Sequence, residues 1–186
     1  MKIKETSIEG LVIVEPQIFR DGRGYFYESY SARDFKAATG FEPRFVQDNQ
    51  AFSRYGVLRG LHFQLPPHAQ AKLVSVVRGK VLDVAVDLRK GSPTYGRYEA
   101  VELSGDNHLQ LFIPRGFAHG YLVLSKTALF QYKCDAFYAP KADGGLAWDD
   151  PDIGVDWPIP AKDIRLSEKD RCRGLLKDFD SPFNYR

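Results

Sequence analysis

Cysteine is scarce in this 186-residue chain. Its two cysteines, Cys134 and Cys172, stand far apart and form neither a CxxC nor a metal-type spacing, so no disulfide framework is indicated. Long apolar runs are missing too. No stretch approaches the ~20 apolar residues of a membrane helix. The start, Met1-Lys2-Ile3-Lys4-Glu5, carries no apolar segment of signal-peptide length. The expectation is a reducing, cytoplasmic setting with no membrane partner. Charge of one sign is also lacking. Lys and Arg number 26 against 24 Asp and Glu, a net +2 with no basic tail or block, which gives no footing for nucleic-acid binding. Also absent are a Gly-rich phosphate loop, internal repeats, low-complexity tracts and any linker long enough to divide two domains.

What remains is globular. Hydrophobic residues make up 44% and charged residues 27%. At about 150 residues per domain the length predicts one domain over residues 1–186, able to bury roughly 70% of its extended surface. Aromatics are plentiful, with 13 Phe, 10 Tyr and 2 Trp. Rings dominate core packing, and they also suit a pocket for a flat or sugar-like ligand.

Many short apolar segments punctuated by Gly, Pro, Asn and Asp predict an all-β sandwich or barrel. Strands are expected at 11–15, 25–30, 57–64, 72–77, 81–88, 98–103, 110–113, 121–124 and 128–134. Turns fall at Arg78-Gly79, Lys90-Gly91-Ser92-Pro93, Ser104-Gly105-Asp106-Asn107 and Pro114-Arg115-Gly116. One short helix is predicted over 31–39, with Ser31 as N-cap and Gly40 as terminator. Beyond Pro140 the chain turns loop-rich, with a turn of helix near 167–171.

Strand parity aims particular side chains. Tyr132 shares its face with Ala128, Phe130 and Cys134, so its hydroxyl is expected to point inward. His62 lies on the face of Gly60 and Gln64, and Lys72 on that of Val74 and Val76. Strand 81–88 reads as an ordinary half-buried strand, with Leu82, Val84, Val86 and Leu88 on one side and Asp83 and Asp87 on the other.

Each candidate stretch has an ordinary structural reading beside a chemical one. In Arg59-Gly60-Leu61-His62-Phe63-Gln64, a lone strand histidine is commonly structural. A cupin-type metal site would need a His-x-His pair, and position 64 is Gln, so no metal site is expected. Pro114-Arg115-Gly116-Phe117-Ala118-His119-Gly120 builds a turn presenting His119 and resembles a second cupin motif. Asp21-Gly22-Arg23-Gly24-Tyr25-Phe26-Tyr27-Glu28 reads equally as a turn leading into a strand with a solvated Glu28. Arg23 and Arg59 have the guanidinium geometry for phosphate. Gln47-Asp48-Asn49-Gln50 is either a plain loop or a source of amide hydrogen bonds.

Taken together, DGRGYFYESY, FVQDNQ, GVLRGLHFQ, PPHAQAKLV, DVAVDLRKGSPTYG, IPRGFAHGYLVLS, WDDPDIGVDWP and LSEKD resemble the dTDP-4-dehydrorhamnose 3,5-epimerase family, in order, from about residue 8 to 170. The resemblance implies an all-β, cupin-like jelly-roll barrel that forms homodimers and uses no metal or other cofactor. It implies a dTDP-linked 4-keto-6-deoxy sugar as substrate. His62 takes the base position, Tyr132 the acid position, Asp170 the partner of the base, and Lys72 the place beside the C4 oxygen. Arg23, Phe26, Glu28, Gln47, Asn49, Arg59, His119, Tyr138, Asp143 and Lys169 match nucleotide- or sugar-contacting positions. The chain departs from the family pattern at Ala71, usually Gly, and at Asp143, often Glu. Rival readings are a 3- or 5-epimerase for another deoxysugar, a metal-dependent cupin, and a non-catalytic sugar-binding module.

Overall fold

The computed structural model describes residues 1–185. Among these, thirteen strands run in chain order: β1 (Lys2–Glu5), β2 (Val12–Glu15), β3 (Phe19–Asp21), β4 (Gly24–Phe26), β5 (Gln47–Arg54), β6 (Leu58–Gln64), β7 (Lys72–Arg78), β8 (Lys80–Asp87), β9 (Tyr98–Ser104), β10 (Gln110–Ile113), β11 (Phe117–Val123), β12 (Thr127–Cys134) and β13 (Asp143–Gly145). Helix α1 spans Ala32–Thr39 and the single turn α2 spans Glu168–Arg171. Ser31 caps α1, accepting from the Asp34 amide, and Gly40 closes it in the left-handed region at φ 74°. The predicted helix is therefore present with its caps.

Two antiparallel sheets form a jelly roll, one ordered β1-β2-β10-β7-β12-β5 and the other β13-β6-β11-β8-β9, with β3 and β4 as a separate hairpin. Between the sheets lies a core of Val74, Val76, Val81, Ala85, Leu103, Leu111, Ile113, Val123, Ala128 and Phe130. Both outer faces are covered as well. Phe35 of α1 packs with Val12, Val14, Leu73 and Phe112 on the six-stranded sheet. The segment beyond Pro140 crosses the five-stranded sheet, placing Leu146, Ile153, Leu176 and Phe183 against Leu61, Phe63, Val84, Val86 and Leu88. Asp150 ties that segment down by accepting from the amides of Asp152, Ile153 and Leu176.

This outer layer corrects the reading of β8, which is buried on both faces rather than half-solvated. Its face with Val81 and Ala85 points into the core, and it carries Asp83 and Asp87, each with no exposed surface. Asp87 is satisfied by Arg89, Ser92 and Thr94 in the following turn. Asp83 is satisfied across the sheet. A second correction concerns Gln47-Asp48-Asn49-Gln50, which opens an eight-residue edge strand paired with β12. Its inward residues face a polar interior, so no apolar alternation announced it. Strand 121–124 begins earlier, at Phe117, and 25–30 keeps only Tyr25 and Phe26 in a strand.

Strands β6 and β11 run close together at Gly60 and Gly120, near the point where His62 pairs with His119 in the ladder. Gly60 has φ +144°, and a Cβ there would fall 2.5 Å from the Gly120 Cα. Gly60→Ala is expected to cost about 2–3 kcal/mol through strain and overpacking. That corresponds to a Tm lowered by roughly 5–10 °C for a chain of this size, measured by calorimetry.

Candidate active site

At one end of the jelly roll, three clefts meet at His62. The first, about 320 Å³, is lined by Gln47, Asn49, Gln64, Lys72, Tyr132, Tyr138 and Asp143 among others. The second, about 380 Å³, runs past Arg59, Arg165, Lys169, Asp170 and Arg173. The third, about 220 Å³, reaches the interior at His119, Tyr121 and Phe130. Alternation along β6 produces this. Leu61 and Phe63 go outward under the C-terminal cover, and His62 goes inward.

His62 Nε2 lies 2.5 Å from Asp170 Oδ1. Ser167, the N-cap of α2, donates to Asp170 Oδ2 at 2.8 Å and accepts from the Asp170 amide, so the carboxylate is held from both sides. Burial alone would raise the Asp170 carboxyl, but the bonds from His62 and Ser167 keep it below the usual carboxylate range. An imidazole oriented by a buried carboxylate can accept a proton and have the resulting charge stabilised.

Lys72 and Tyr132 come from neighbouring strands of the opposite sheet, with the Lys72 ammonium 5.9 Å from the centre of the Tyr132 ring. Burial pulls Lys72 below its ordinary range, opposed by the carboxylates of Asp83 and Asp143. Burial pushes the Tyr132 phenol up to about 12, so it keeps its proton at neutral pH. Deeper still, His119 Nε2 donates to Asp83 at 3.0 Å, both groups being buried. Desolvation holds His119 below its usual value against the pull of Asp83.

The remaining lining is held by its own bonds. Arg59 Nε donates to Ser53 Oγ at 3.1 Å, and Ser53 lies 3.4 Å from the Tyr121 hydroxyl. Gln47 donates to Asn49 Oδ1 and accepts the Tyr138 amide, presenting the exposed Tyr138 ring at the mouth. Gln64, at the position where a cupin metal ligand would stand, instead staples the loops at His68, Phe137 and Ala139. Among the described residues no three His, Cys, Asp or Glu side chains gather as a metal-binding set. Asp143 accepts from both Lys169 and Arg173 at 2.8 Å. Burial would raise it, and those two cations hold it below the usual range.

Of the fourteen residues singled out from sequence, eleven line these clefts. Arg23, Phe26 and Glu28 do not. Arg23 and Phe26 sit on the β3–β4 hairpin beside a separate groove, with Arg23 paired to Asp21 and Phe26 66% exposed. Glu28 is exposed just beyond that hairpin. Sequence reasoning missed Asp83, Ser53, Tyr121 and Arg173. Asp83 had a signal, an acid in the middle of an apolar strand, while the others had none.

Fold and site together define the class: a jelly-roll protein whose cleft gathers groups suited to acid–base chemistry. Residues 5–178 match the family model for dTDP-4-dehydrorhamnose 3,5-epimerase. A dTDP-4-dehydrorhamnose 3,5-epimerase from Methanothermobacter thermautotrophicus is 52% identical over 168 residues, 90% of each chain. The crystal structure of the enzyme of that name from Elizabethkingia anophelis superposes with TM-score 0.93 at 52% identity, covering 96% of this chain and 97% of the other. A dTDP-6-deoxy-D-glucose-3,5-epimerase from Legionella pneumophila, solved with dTDP-4-keto-L-rhamnose, gives TM-score 0.95 at 46% identity, covering 100% and 98%. The chain belongs to the dTDP-4-dehydrorhamnose 3,5-epimerase family.

Asp143 and Asp170 both titrate below the ordinary 3.8, so each adds stability that is complete above that value and is lost as pH falls through the lower folded-state value. Urea midpoints between pH 2 and 6 should therefore drop on acidification in the parent protein, and drop less steeply in Asp143→Asn and Asp170→Asn.

Proposed function

We propose that this chain inverts C3 and C5 of dTDP-4-dehydro-6-deoxy-D-glucose, giving dTDP-4-dehydro-L-rhamnose. The observation that carries the reading is the His62–Asp170 pair on one side of a cleft with Lys72 and the protonated Tyr132 on the other. Both carbons flank the C4 ketone, so the electron pair of each C–H bond passes into the carbonyl to form an enolate. His62 accepts the proton and Asp170 stabilises the imidazolium so formed. Lys72 places positive charge against the enolate oxygen, where stabilising developing charge matters most. Tyr132 then gives its hydroxyl proton to the opposite face of the carbon, and both side chains reset by exchange with solvent. Arg59 and Lys169 serve the diphosphate, His119 the sugar, and Gln47, Asn49 and Tyr138 the nucleoside.

Incubation with the 4-keto sugar nucleotide in D₂O, followed by proton NMR, tests this directly. Both C3 and C5 signals should wash out, and a 4-ketoreductase should accept the product. Loss of one signal alone identifies a 3- or 5-epimerase for another deoxysugar. His62→Ala should lower exchange at both carbons by at least 10²-fold while leaving dTDP binding within a few-fold, because it removes the base alone. Tyr132→Phe should let wash-out outlast net inversion.

The stranded position of Arg23, Phe26 and Glu28 supports a homodimer in which each hairpin reaches the neighbour's cleft. Phe19, Tyr25 and Phe26 leave that hairpin with an apolar surface exposed in the single chain. On this reading, His62→Ala and Arg23→Ala/Phe26→Ala chains, each inactive alone, regain activity when refolded together. Half of the dimers then hold one intact site, giving roughly a quarter of parent activity.

A further inference from the structure

Beside His62 lies a buried cation that the mechanism above does not use. Arg173 follows α2, and its backbone is pinned alongside β13, with Gly174 bridged to Leu146 and accepting the Ala147 amide at 2.8 Å. Its side chain is only 11% exposed. Nη2 donates to Asp143 Oδ2, while Nε is buried with no partner among the described residues. The guanidinium lies against Gly145, where a Cβ would fall 2.8 Å from Nε and 3.0 Å from Cζ. Gly145 is the ladder partner of His62. The arginine side chain therefore lies against the strand position that neighbours the base, on backbone that only glycine leaves free.

A guanidinium with an unsatisfied N–H is costly to bury. Lys169, at 2.8 Å and more exposed, already supplies Asp143 with a counter-charge. What Arg173 adds is a desolvated positive charge that acts on both carboxylates in the cleft of His62. It bonds Asp143, and its field helps to hold Asp170 ionised. The charged and titratable groups around His62 are Arg59 on its own strand, Asp143 on β13, Tyr138 before it, Arg165 before α2, Lys169, Asp170 and Arg173 on or after α2, Lys72 on β7, Tyr132 on β12, His119 and Tyr121 on β11 and Asp83 on β8. Of the cations at the α2 end, Arg173 is the more deeply buried and so the least screened.

We propose that Arg173 is a positioning residue of the epimerase reaction, fixing Asp143 in the cleft of His62 and setting the charge in which the base works. The proposal rests on His62 being the base. A neighbouring positive charge opposes protonation of the base, so it extends activity to lower pH.

The test is the pH profile of kcat/KM for proton wash-out in the purified protein. Arg173→Gln should move the acid limb up by about half to one pH unit and lower the neutral-pH rate severalfold. Arg173→Lys should keep the limb near its parent position. Asp143→Asn, which removes a negative charge and leaves Arg173 in place, should move the limb down. Opposite shifts from two variants that break the same ion pair are not the signature of a merely structural contact. An unmoved limb in Arg173→Gln, or equal behaviour of the Gln and Lys variants, overturns the proposal. Should Arg173→Gln fail to fold, an upward or absent shift in Asp143→Asn overturns it alone. Wash-out retained in His62→Ala would overturn the base reading instead, so the two failures are told apart.

Discussion

The contact between His62 and Asp170 joins residues 108 positions apart, and the rest of the site is organised around it. One partner points inward from a sheet strand, and the other sits on a single helical turn in a segment with little regular structure. A turn of four residues does not hold itself together in water. It is placed by the layer to which it belongs, through Leu146, Ile153, Leu176 and Phe183 on the outer face of the sheet and the Asp150 carboxylate that gathers three amides. The apolar exterior of one sheet thereby determines where the carboxylate that meets His62 stands.

The interior is divided in two. Toward one end it is a close-packed apolar core, and toward the other it holds Lys72, Asp83, His119 and Tyr132. The boundary is aromatic, with Tyr121 stacked on Phe130 at a centroid distance of 4.1 Å. The carboxylates at the polar end each have an answering group, because an isolated charge there would cost several kcal/mol. Asp83 answers His119, Asp170 answers His62, and Asp143 answers Lys169 and Arg173. The acid and base properties of the site follow from this pairing, since burial keeps Tyr132 protonated while Asp170 remains a carboxylate.

Where a strand has one buried face and one less buried face, its alternation reveals it, as with β12. Strand β5 escapes because its inward side chains, Gln47, Asn49 and Ser53, line a polar cleft. Periodicity reports apolar burial and says nothing of polar burial. The misreading of β8 has the opposite origin. Its alternation of Asp with Val and Leu looks half-exposed until the C-terminal layer covers the apolar side and turns the acids inward. Arg23, Phe26 and Glu28 show a third gap, because a motif recognised along a chain carries no statement of where in space it sits relative to the other motifs.

The amino-acid sequence by itself determined the all-β class, the capped helix α1, the inward aim of His62, Lys72 and Tyr132, and the family motifs that carry the chemistry. All of these are local, depending on side-chain alternation, turn residues and short spacings. The family motifs named Asp170 as the partner of His62, but only the tertiary structure decided how the C-terminal layer brings it there, that Asp83 faces His119, and that Arg173 lies against Gly145 and bonds Asp143. Those are meetings between elements far apart in sequence, selected by which apolar surfaces close over one another, and no local pattern encodes them.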